Sequence, residues 1–264
     1  MGQGRGIENR IERIQGDDKP LYAILRMGGL FDNRAGATFG GGGYGEDDTA
    51  LAARVGLGYQ FTLKEPLGFR IDYDGYTDFH NKFSKFNIQE HHFSAEIQYA
   101  ADPFTYSLPL GFTHTREDGR PNTDRKSVTP TVTYLMRSGT KAIGFYGLAA
   151  QIEDRDANTV LDENGTSLGM GCSYFHFFKE LSRTRFSIDY MNTEYDALVK
   201  DYGSDSASQK NREDRILTTS IDIRYFFTPI TAVYTTYSFI HSKSNVETFD
   251  YNRHILEFGI AIRY

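Results

Sequence analysis

Several residue types that usually point to a function are scarce or missing in this chain. It has one cysteine, Cys172, and no tryptophan. A single cysteine forms neither an intramolecular disulfide nor a thiolate metal cluster, and its neighbours Met170 and Tyr174 predict a small, packed apolar side chain. Redox chemistry is therefore excluded, and we expect no cofactor.

Basic charge and long apolar runs are scarce as well. The formal net charge is −6 and is spread along the chain, so no basic stripe indicates binding to nucleic acid. The sequence has no run of about 18 apolar residues, which excludes a transmembrane helix. The segment Met1–Asp18 is too polar for a signal-peptide core, and this predicts a mature form or a fragment with a new start.

Aromatic residues and glycine are abundant, with 20 Phe, 18 Tyr and 26 Gly. This composition favours strands. In the stretch Leu51–Leu63, apolar residues occupy every second position, and Arg, Gly, Gln and Thr fill the gaps, which is the period of a strand. The same alternation recurs along the chain and predicts about twelve strands between residues 21 and 264.

The connections between these strands alternate in length. Short ones are expected at 64–67, 100–103, 137–141, 179–184 and 227–231, and long polar ones at 34–48, 81–90, 116–126, 153–166, 195–214 and 242–251. Such alternation predicts an all-β, closed, up-and-down antiparallel barrel with all long connections at one end. Residues 1–20 are expected to form a periplasmic leader or a short plug helix, since Ile7, Ile11 and Ile14 have helical spacing.

A soluble β-sandwich or lipocalin-type barrel shows the same alternation, so the direction of the apolar face must be decided separately. All ten lysines lie outside the predicted strands. The strands run to about 11 to 14 residues, enough to cross a bilayer when tilted. Aromatic residues crowd the strand ends, and such belts are typical of membrane barrels. The belt predicted near the short connections contains Tyr59, Phe61, Phe69, Tyr99, Phe104, Tyr134, Phe186, Tyr225, Phe226 and Tyr264. A closed sheet satisfies its backbone hydrogen bonds in lipid, so we expect a transmembrane barrel.

The last strand has apolar residues at alternate positions before a terminal aromatic: Leu256, Phe258, Ile260, Ile262 and Tyr264. This pattern resembles the C-terminal insertion signature of Gram-negative outer-membrane β-barrel proteins. The phrases GLFDNRAGATFGGGG and YNRHILEFGIAIRY are similar to barrels identified as porins, and to the barrel of surface lipoprotein assembly modifier-like export proteins. The resemblance implies an outer-membrane location with both termini periplasmic. It also implies contact with outer-membrane lipid and lipopolysaccharide, and with the barrel-assembly machinery during insertion.

The inward-facing row predicts a lumen in which positive and negative charges nearly balance. The expected lumen-lining residues are Arg26, Arg54, Arg70, Asp72, Asp74, Asp78, Glu96, Arg185, Asp189, Asp222, Arg224, Arg253 and Glu257. Opposite charges across a lumen of this width either close it as an ion-pair network or leave a narrow polar channel. We expect a narrow porin for small polar solutes or ions, and not an enzyme.

Two other functions remain open from the sequence. One is a translocator or membrane anchor of a larger export or surface-assembly system, with an unknown periplasmic or surface protein as partner. The other is an enzyme at the rim, where Asp78, His80, Glu90 and His92 could form a carboxylate and histidine cluster for a divalent ion. A solvated charged mouth explains these four residues better, so we expect no metal there.

Overall fold

The computed structural model describes residues 20–35, 46–64, 66–136, 139–155, 164–179, 182–200, 209–246 and 249–264. The expected leader or plug helix, residues 1–20, lies outside this part except for Pro20. The strands are β1 (Leu21–Ala35), β2 (Glu46–Lys64), β3 (Leu67–His80), β4 (Ile88–Ala101), β5 (Phe104–Glu117), β6 (Arg120–Val128), β7 (Thr131–Leu135), β8 (Lys141–Asp154), β9 (Gly165–Lys179), β10 (Ser182–Lys200), β11 (Gln209–Phe226), β12 (Thr231–Ser244) and β13 (Tyr251–Arg263).

The strands form one closed antiparallel barrel. Strands that are neighbours in the chain pair, except β6 with β7, and β13 closes the sheet by pairing with β1. β6 and β7 occupy one position between β5 and β8, because the strand is interrupted at Thr129 and Pro130. Pro130 has no N–H, but its carbonyl still accepts from the Gly147 N–H at 3.0 Å, so the wall stays continuous. The prediction of a twelve-position, up-and-down barrel is confirmed.

A 3-10 turn, Ser84–Phe86, lies between β3 and β4. In the described part of the chain, no helix has the length and apolar character needed to span a membrane.

The alternation of each strand sends apolar side chains to the outer face. Leu51 is 70% exposed and Leu168 67% exposed, whereas Ser167 and Ser173 on the inner face are each 1% exposed. In water this arrangement would leave most of the apolar surface unburied, and in a bilayer that surface contacts acyl chains. The outer face is therefore the one that suits lipid.

Two expected long connections are wrong. Residues 116–126 are mostly strand, because β5 and β6 meet in a tight turn at Asp118 and Gly119, whose φ angles are 48° and 75°. Positive φ at two consecutive residues is typical of the two-residue hairpin turns that Asp-Gly favours. Residues 195–214 are also partly strand, since β10 runs to Lys200 and β11 begins at Gln209.

Aromatic rings line the outer face at the end of the barrel with the short connections. The ring centroids of Phe61 and Phe69 are 5.1 Å apart, and those of Phe104 and Tyr134 are 5.2 Å apart. The expectation for Phe226 is wrong, because its side chain is 4% exposed and packs inside with Ala232, Tyr234 and Ala261. Tyr225 faces out, and neighbouring residues of a strand point to opposite faces.

The seam between β1 and β13 is in continuous register from Ile24 with Arg263 to Asp32 with Ile255. Gly28 and Gly259 are partners at its middle. A Cβ added at Gly28 would lie well inside 3.0 Å of the Phe258 carbonyl oxygen, and one added at Gly259 would be as close to that of Met27. The seam therefore requires glycine on both strands.

Candidate functional site: the lumen

The candidate site is the interior face of the barrel, and its charges are unevenly distributed. The structure places all of the expected lumen-lining residues on the inner faces of β10, β11, β13 and β1 to β4. These are Arg26, Arg54, Arg70, Asp72, Asp74, Asp78, Glu96, Arg185, Asp189, Asp222, Arg224, Arg253 and Glu257. We call the interior of β10 to β13 and β1 to β4 the charged arc.

The interior of β5 to β9 is the uncharged arc. Its described inner rows carry mainly Thr, Ser, Gly, Ala, Leu, Tyr and Phe, and Arg125 is their one charged side chain away from the strand ends. Arg125 lies near the long connections, where its Nη2 is 3.3 Å from Met191 Sδ. The sequence interpretation of a balanced lining missed this asymmetry.

A repeated unit of tyrosine, glycine and carboxylate builds the wall across three strands. Tyr22 on β1 pairs with Gly58 on β2, which pairs with Asp72 on β3. The Tyr22 ring lies across Gly58, where an added Cβ would collide with it, and its hydroxyl donates to Asp72. The glycine provides the space for the ring, and the carboxylate holds the hydroxyl.

The same unit occurs where the two arcs meet. Tyr146 on β8 pairs with Gly171 on β9, and Gly171 pairs with Asp189 on β10. The Tyr146 ring covers Gly171, and its hydroxyl donates to Asp189, which also accepts from Ser187 at 3.3 Å. In both units the ring lies against the wall, so a bulky side chain takes up little of the lumen.

Arg70 anchors the charged network on β3 and β4. Its Nε is 2.5 Å from Asp72 Oδ2, and its Nη1 is 3.9 Å from Glu96 Oε2. Glu96 accepts at 3.0 Å from the side-chain amide of Gln98, which in turn accepts from Gln60 at 3.0 Å. This side of the lumen is acidic on balance, because Asp72, Asp74 and Glu96 outnumber Arg70.

Arginines concentrate on the opposite side, on β10 and β11. Arg183 and Arg224 are direct cross-strand partners and are each 1% exposed. Arg183 Nη2 is 3.7 Å from Asp222 Oδ1, and the guanidinium of Arg185 lies 5.7 Å from the centre of the Phe175 ring. Five barrel positions separate β10 from β3 in either direction, so the arginine-rich and acidic sides face each other across the lumen.

A second arginine pair occupies the middle of β1 and β2. Arg26 and Arg54 are direct partners, and each lies beside a tyrosine ring, Arg26 at 5.7 Å from Tyr234 and Arg54 at 5.0 Å from Tyr76. Arg54 Nε is 3.7 Å from Asp74 Oδ1. The Tyr234 hydroxyl donates to Glu257 at 2.7 Å.

At the end of the barrel with the long connections, a buried carboxylate holds a connection in place. Asp48 accepts hydrogen bonds from the backbone N–H groups of Thr49, Lys82 and Phe83, and its Oδ2 is 3.2 Å from His80 Nδ1. Burial raises the pKa of Asp48, but these hydrogen bonds outweigh it and lower the pKa below the ordinary value. The connection after β3 is thereby fixed to β2 at this end of the barrel.

The four expected rim residues do not form one cluster. Asp78 lies with His80, 3.9 Å from its Nε2, whereas His92 Nδ1 is 2.8 Å from the Thr113 hydroxyl. Glu90 pairs with Tyr76 across β3 and β4. Within the described ranges, no three His, Cys, Asp or Glu side chains are grouped closely enough to bind a metal ion.

Two further contacts narrow the mouth. Asp32, whose side chain is fully buried, accepts from Arg253 Nη2 at 2.5 Å. Phe249, in the connection between β12 and β13, packs under Arg212, whose guanidinium is 3.6 Å from the ring centre. Sequence reasoning missed Asp32 and Arg212 because both lie at the ends of long strands that had been assigned partly to connections.

The outer wall carries its own ion pairs beyond the apolar band. Asp124 on β6 accepts from Arg155 Nε at 2.7 Å and lies 2.6 Å from His114 Nδ1. Partial burial raises the pKa of Asp124, and the bonds to His114 and Arg155 lower it to below the usual value. The five residues of the expected insertion signature lie below this level on β13 and all face out: Leu256, Phe258, Ile260, Ile262 and Tyr264.

Comparison with known proteins identifies the architecture. No family model matches the chain, and no curated protein matches it. Among solved structures, the COG4313 outer membrane channel from Pseudomonas putida F1 aligns with a TM-score of 0.58 and 10% identity, over 92% of this chain and 94% of that one. The fold is that of an outer-membrane β-barrel.

Other similar barrels differ in what their names describe. The anion-selective porin from Comamonas acidovorans aligns at a TM-score of 0.46 and 11% identity, over 92% of this chain and 98% of that one. The translocator domain of the autotransporter NalP from Neisseria meningitidis aligns at a TM-score of 0.46 and 10% identity, over 99% of this chain and 94% of that one. At such identities the likeness concerns the barrel fold and not the cargo.

Proposed function

We propose that this barrel is a channel for small polar solutes or ions in the outer membrane of a Gram-negative bacterium. The observation that supports this most is a charged interior that runs from Arg185 near the short connections to Arg253 at the long ones. A charged lining gives dissolved solutes a polar path that lipid does not offer. This function needs no catalytic group.

The orientation belongs to the same proposal. Outer-membrane barrels have short turns on the periplasmic side and longer connections outside. Both ends of the described chain, Pro20 and Tyr264, lie at the end with the short connections, so the termini would be periplasmic. The ion pairs around Asp124 would then lie at the level of the lipopolysaccharide headgroups.

The second candidate function is a translocator or membrane anchor with its lumen filled by protein. Near-complete burial of Arg183, Arg224 and Phe175 favours it, because inner-face residues of an empty pore would contact water. In that case the charged lining would bind a polypeptide and not a permeating solute.

Conductance in planar lipid bilayers distinguishes these functions. The purified, detergent-folded barrel is added to one side of a KCl-bathed bilayer, and folding is checked by its heat-dependent migration on a gel. Steady open-channel current supports the channel. A folded barrel that inserts but stays silent contradicts it and favours the filled lumen.

A further inference from the structure

The Arg26 and Arg54 pair is the feature of the lumen that most resembles a binding site. Both arginines lie near the middle of their strands, and their side chains are partly buried, with Arg54 18% exposed. Arg183 and Arg224, by contrast, are too deeply buried to meet a solute. The pair therefore combines central position with access.

Two guanidinium groups directly opposite each other on neighbouring strands repel. Asp74 offsets Arg54 at 3.7 Å. Within the described part of the chain, Arg26 makes no ion pair within 4.0 Å, and its Nε is buried without a hydrogen-bond partner. Arg26 is thus a lumen cation whose charge an anion at its terminal Nη groups would offset.

Two tyrosines shape the space around the pair. Tyr234 lies beside Arg26 and Tyr76 beside Arg54, so the guanidinium planes are supported by rings. The Tyr234 hydroxyl is bonded to Glu257, and that of Tyr76 donates to Asp78 at 3.0 Å. Both carboxylates are therefore held by tyrosine hydroxyls beside the arginine pair.

The wall opposite the pair carries glycines on β9 and two larger, buried side chains, Tyr146 and Leu148, on β8. Five barrel positions separate β1 from β8 in both directions, and the same holds for β2 and β9. The middle of β9 carries Gly169 and Gly171 on its inner face, and the Tyr146 ring lies flat across Gly171. Gly169 therefore adds no side chain to the wall that faces Arg54.

From this geometry we infer that Arg26, supported by Arg54, binds the carboxylate of small organic acids as they pass through the channel. A guanidinium fork matches the two oxygens of a carboxylate, and the nearby Asp74 and Glu257 disfavour ions of higher negative charge. The inference rests on the proposed channel function and specifies its solute class.

The test measures reversal potentials in a KCl gradient and then the block of chloride current by acetate. We expect a wild-type preference for chloride over potassium that falls roughly fivefold in Arg26→Gln, because one central charge is lost. Acetate block is expected to weaken in Arg26→Gln and to persist in Arg26→Lys. Arg215→Gln is the matched control, since Arg215 is on the outer wall and its side chain is 60% exposed.

The possible outcomes separate the two proposals. If the wild-type channel conducts but Arg26→Gln keeps its selectivity and its acetate block, the inference is wrong and the channel function stands. If folded wild-type barrels are silent, both are wrong. If Arg215→Gln changes selectivity as much as Arg26→Gln does, the effect is a general one of net charge, and the site at Arg26 is overturned.

Discussion

The two arcs of the lumen are made from the same kind of strand but differ in what holds them together. In the charged arc, neighbouring strands are joined through arginines and carboxylates, such as Arg54 with Asp74 and Arg253 with Asp32. In the uncharged arc, small hydroxyl and glycine residues face inward, and the rings of Phe175 and Phe177 stack at one end. The β-sheet backbone is common to both.

The difference shows that one barrel can separate two requirements. Charged side chains recognise or repel solutes, whereas small side chains leave room for them to pass. The uncharged arc carries its ion pairs on the outside instead, around Asp124. Removing contacts from each arc in turn tests whether this division holds.

The largest effect is expected from Gly259→Ala at the seam of the charged arc. The new Cβ would overlap the Met27 backbone oxygen, and backbone cannot move aside cheaply. We expect a loss of about 3 kcal/mol or more in unfolding free energy, or no folded barrel at all. Urea unfolding in micelles and heat-dependent gel migration measure this.

Gly147→Ala on β8 is the control for that change, because the added Cβ would be 3.7 Å from Pro130 Cγ, an ordinary contact. Its stability should stay within about 0.5 kcal/mol of wild type. Equal unfolding midpoints for the two variants would show that the seam does not require glycine.

Loss of a buried ion pair in the charged arc should lower the unfolding free energy more than loss of a hydroxyl in the uncharged arc. Asp32→Asn leaves Arg253 without its carboxylate and is expected to cost about 3 kcal/mol. Thr131→Val removes the bond from the Thr131 hydroxyl to the Thr129 carbonyl, 3.1 Å, and is expected to cost about 1 kcal/mol. Urea midpoints of the two variants are compared, and the reverse order would refute the contrast between the arcs.

The tyrosine and glycine units predict a smaller, position-specific effect on β2. Gly58→Ala would displace the Tyr22 ring and is expected to cost about 2 kcal/mol. Gly56→Ala faces the same lumen, but its Cβ would be 3.5 Å from Asp74 Oδ2 and should be tolerated. The unfolding midpoints of the two variants are measured side by side. Identical midpoints would show that the Tyr22 ring does not need glycine at position 58.

The smallest effect concerns pH and the outer wall of the uncharged arc. The folded-state pKa of Asp124 is lowered, so its stabilisation is present above the ordinary carboxylate pKa of about 3.9 and is lost as the pH falls through the folded value. Wild type should therefore lose more stability than Asp124→Asn between neutral and acidic pH. Unfolding midpoints recorded across that range check this, and parallel curves would argue against it.

Alternation predicted the strands and the barrel, because period two determines which side chains share a surface. The direction of the apolar surface had to come from strand length and from the aromatic strand ends. Alternation also shows why Phe226 belongs inside, since Tyr225 already faces out. The Asp118 and Gly119 turn was readable too, from the hairpin preference of Asp-Gly.

The units of tyrosine, glycine and carboxylate could not be predicted from the sequence in this way. Tyr22, Gly58 and Asp72 lie on three strands far apart in sequence, and one residue of register would separate them. Register depends on the packing of the whole sheet. The small residues of β8 blur its alternation, so the sequence does not indicate that Tyr146 faces inward.

The pairing of β13 with β1 has a consequence for how the protein is made. In the chain, β1 comes first and β13 last. Any sheet that forms before β13 has been made therefore has two edges with unpaired backbone N–H and C=O groups. In water, such edges would pair with other chains and lead to aggregation. Closure of the barrel, and with it the pairing of every edge, therefore waits for the last strand.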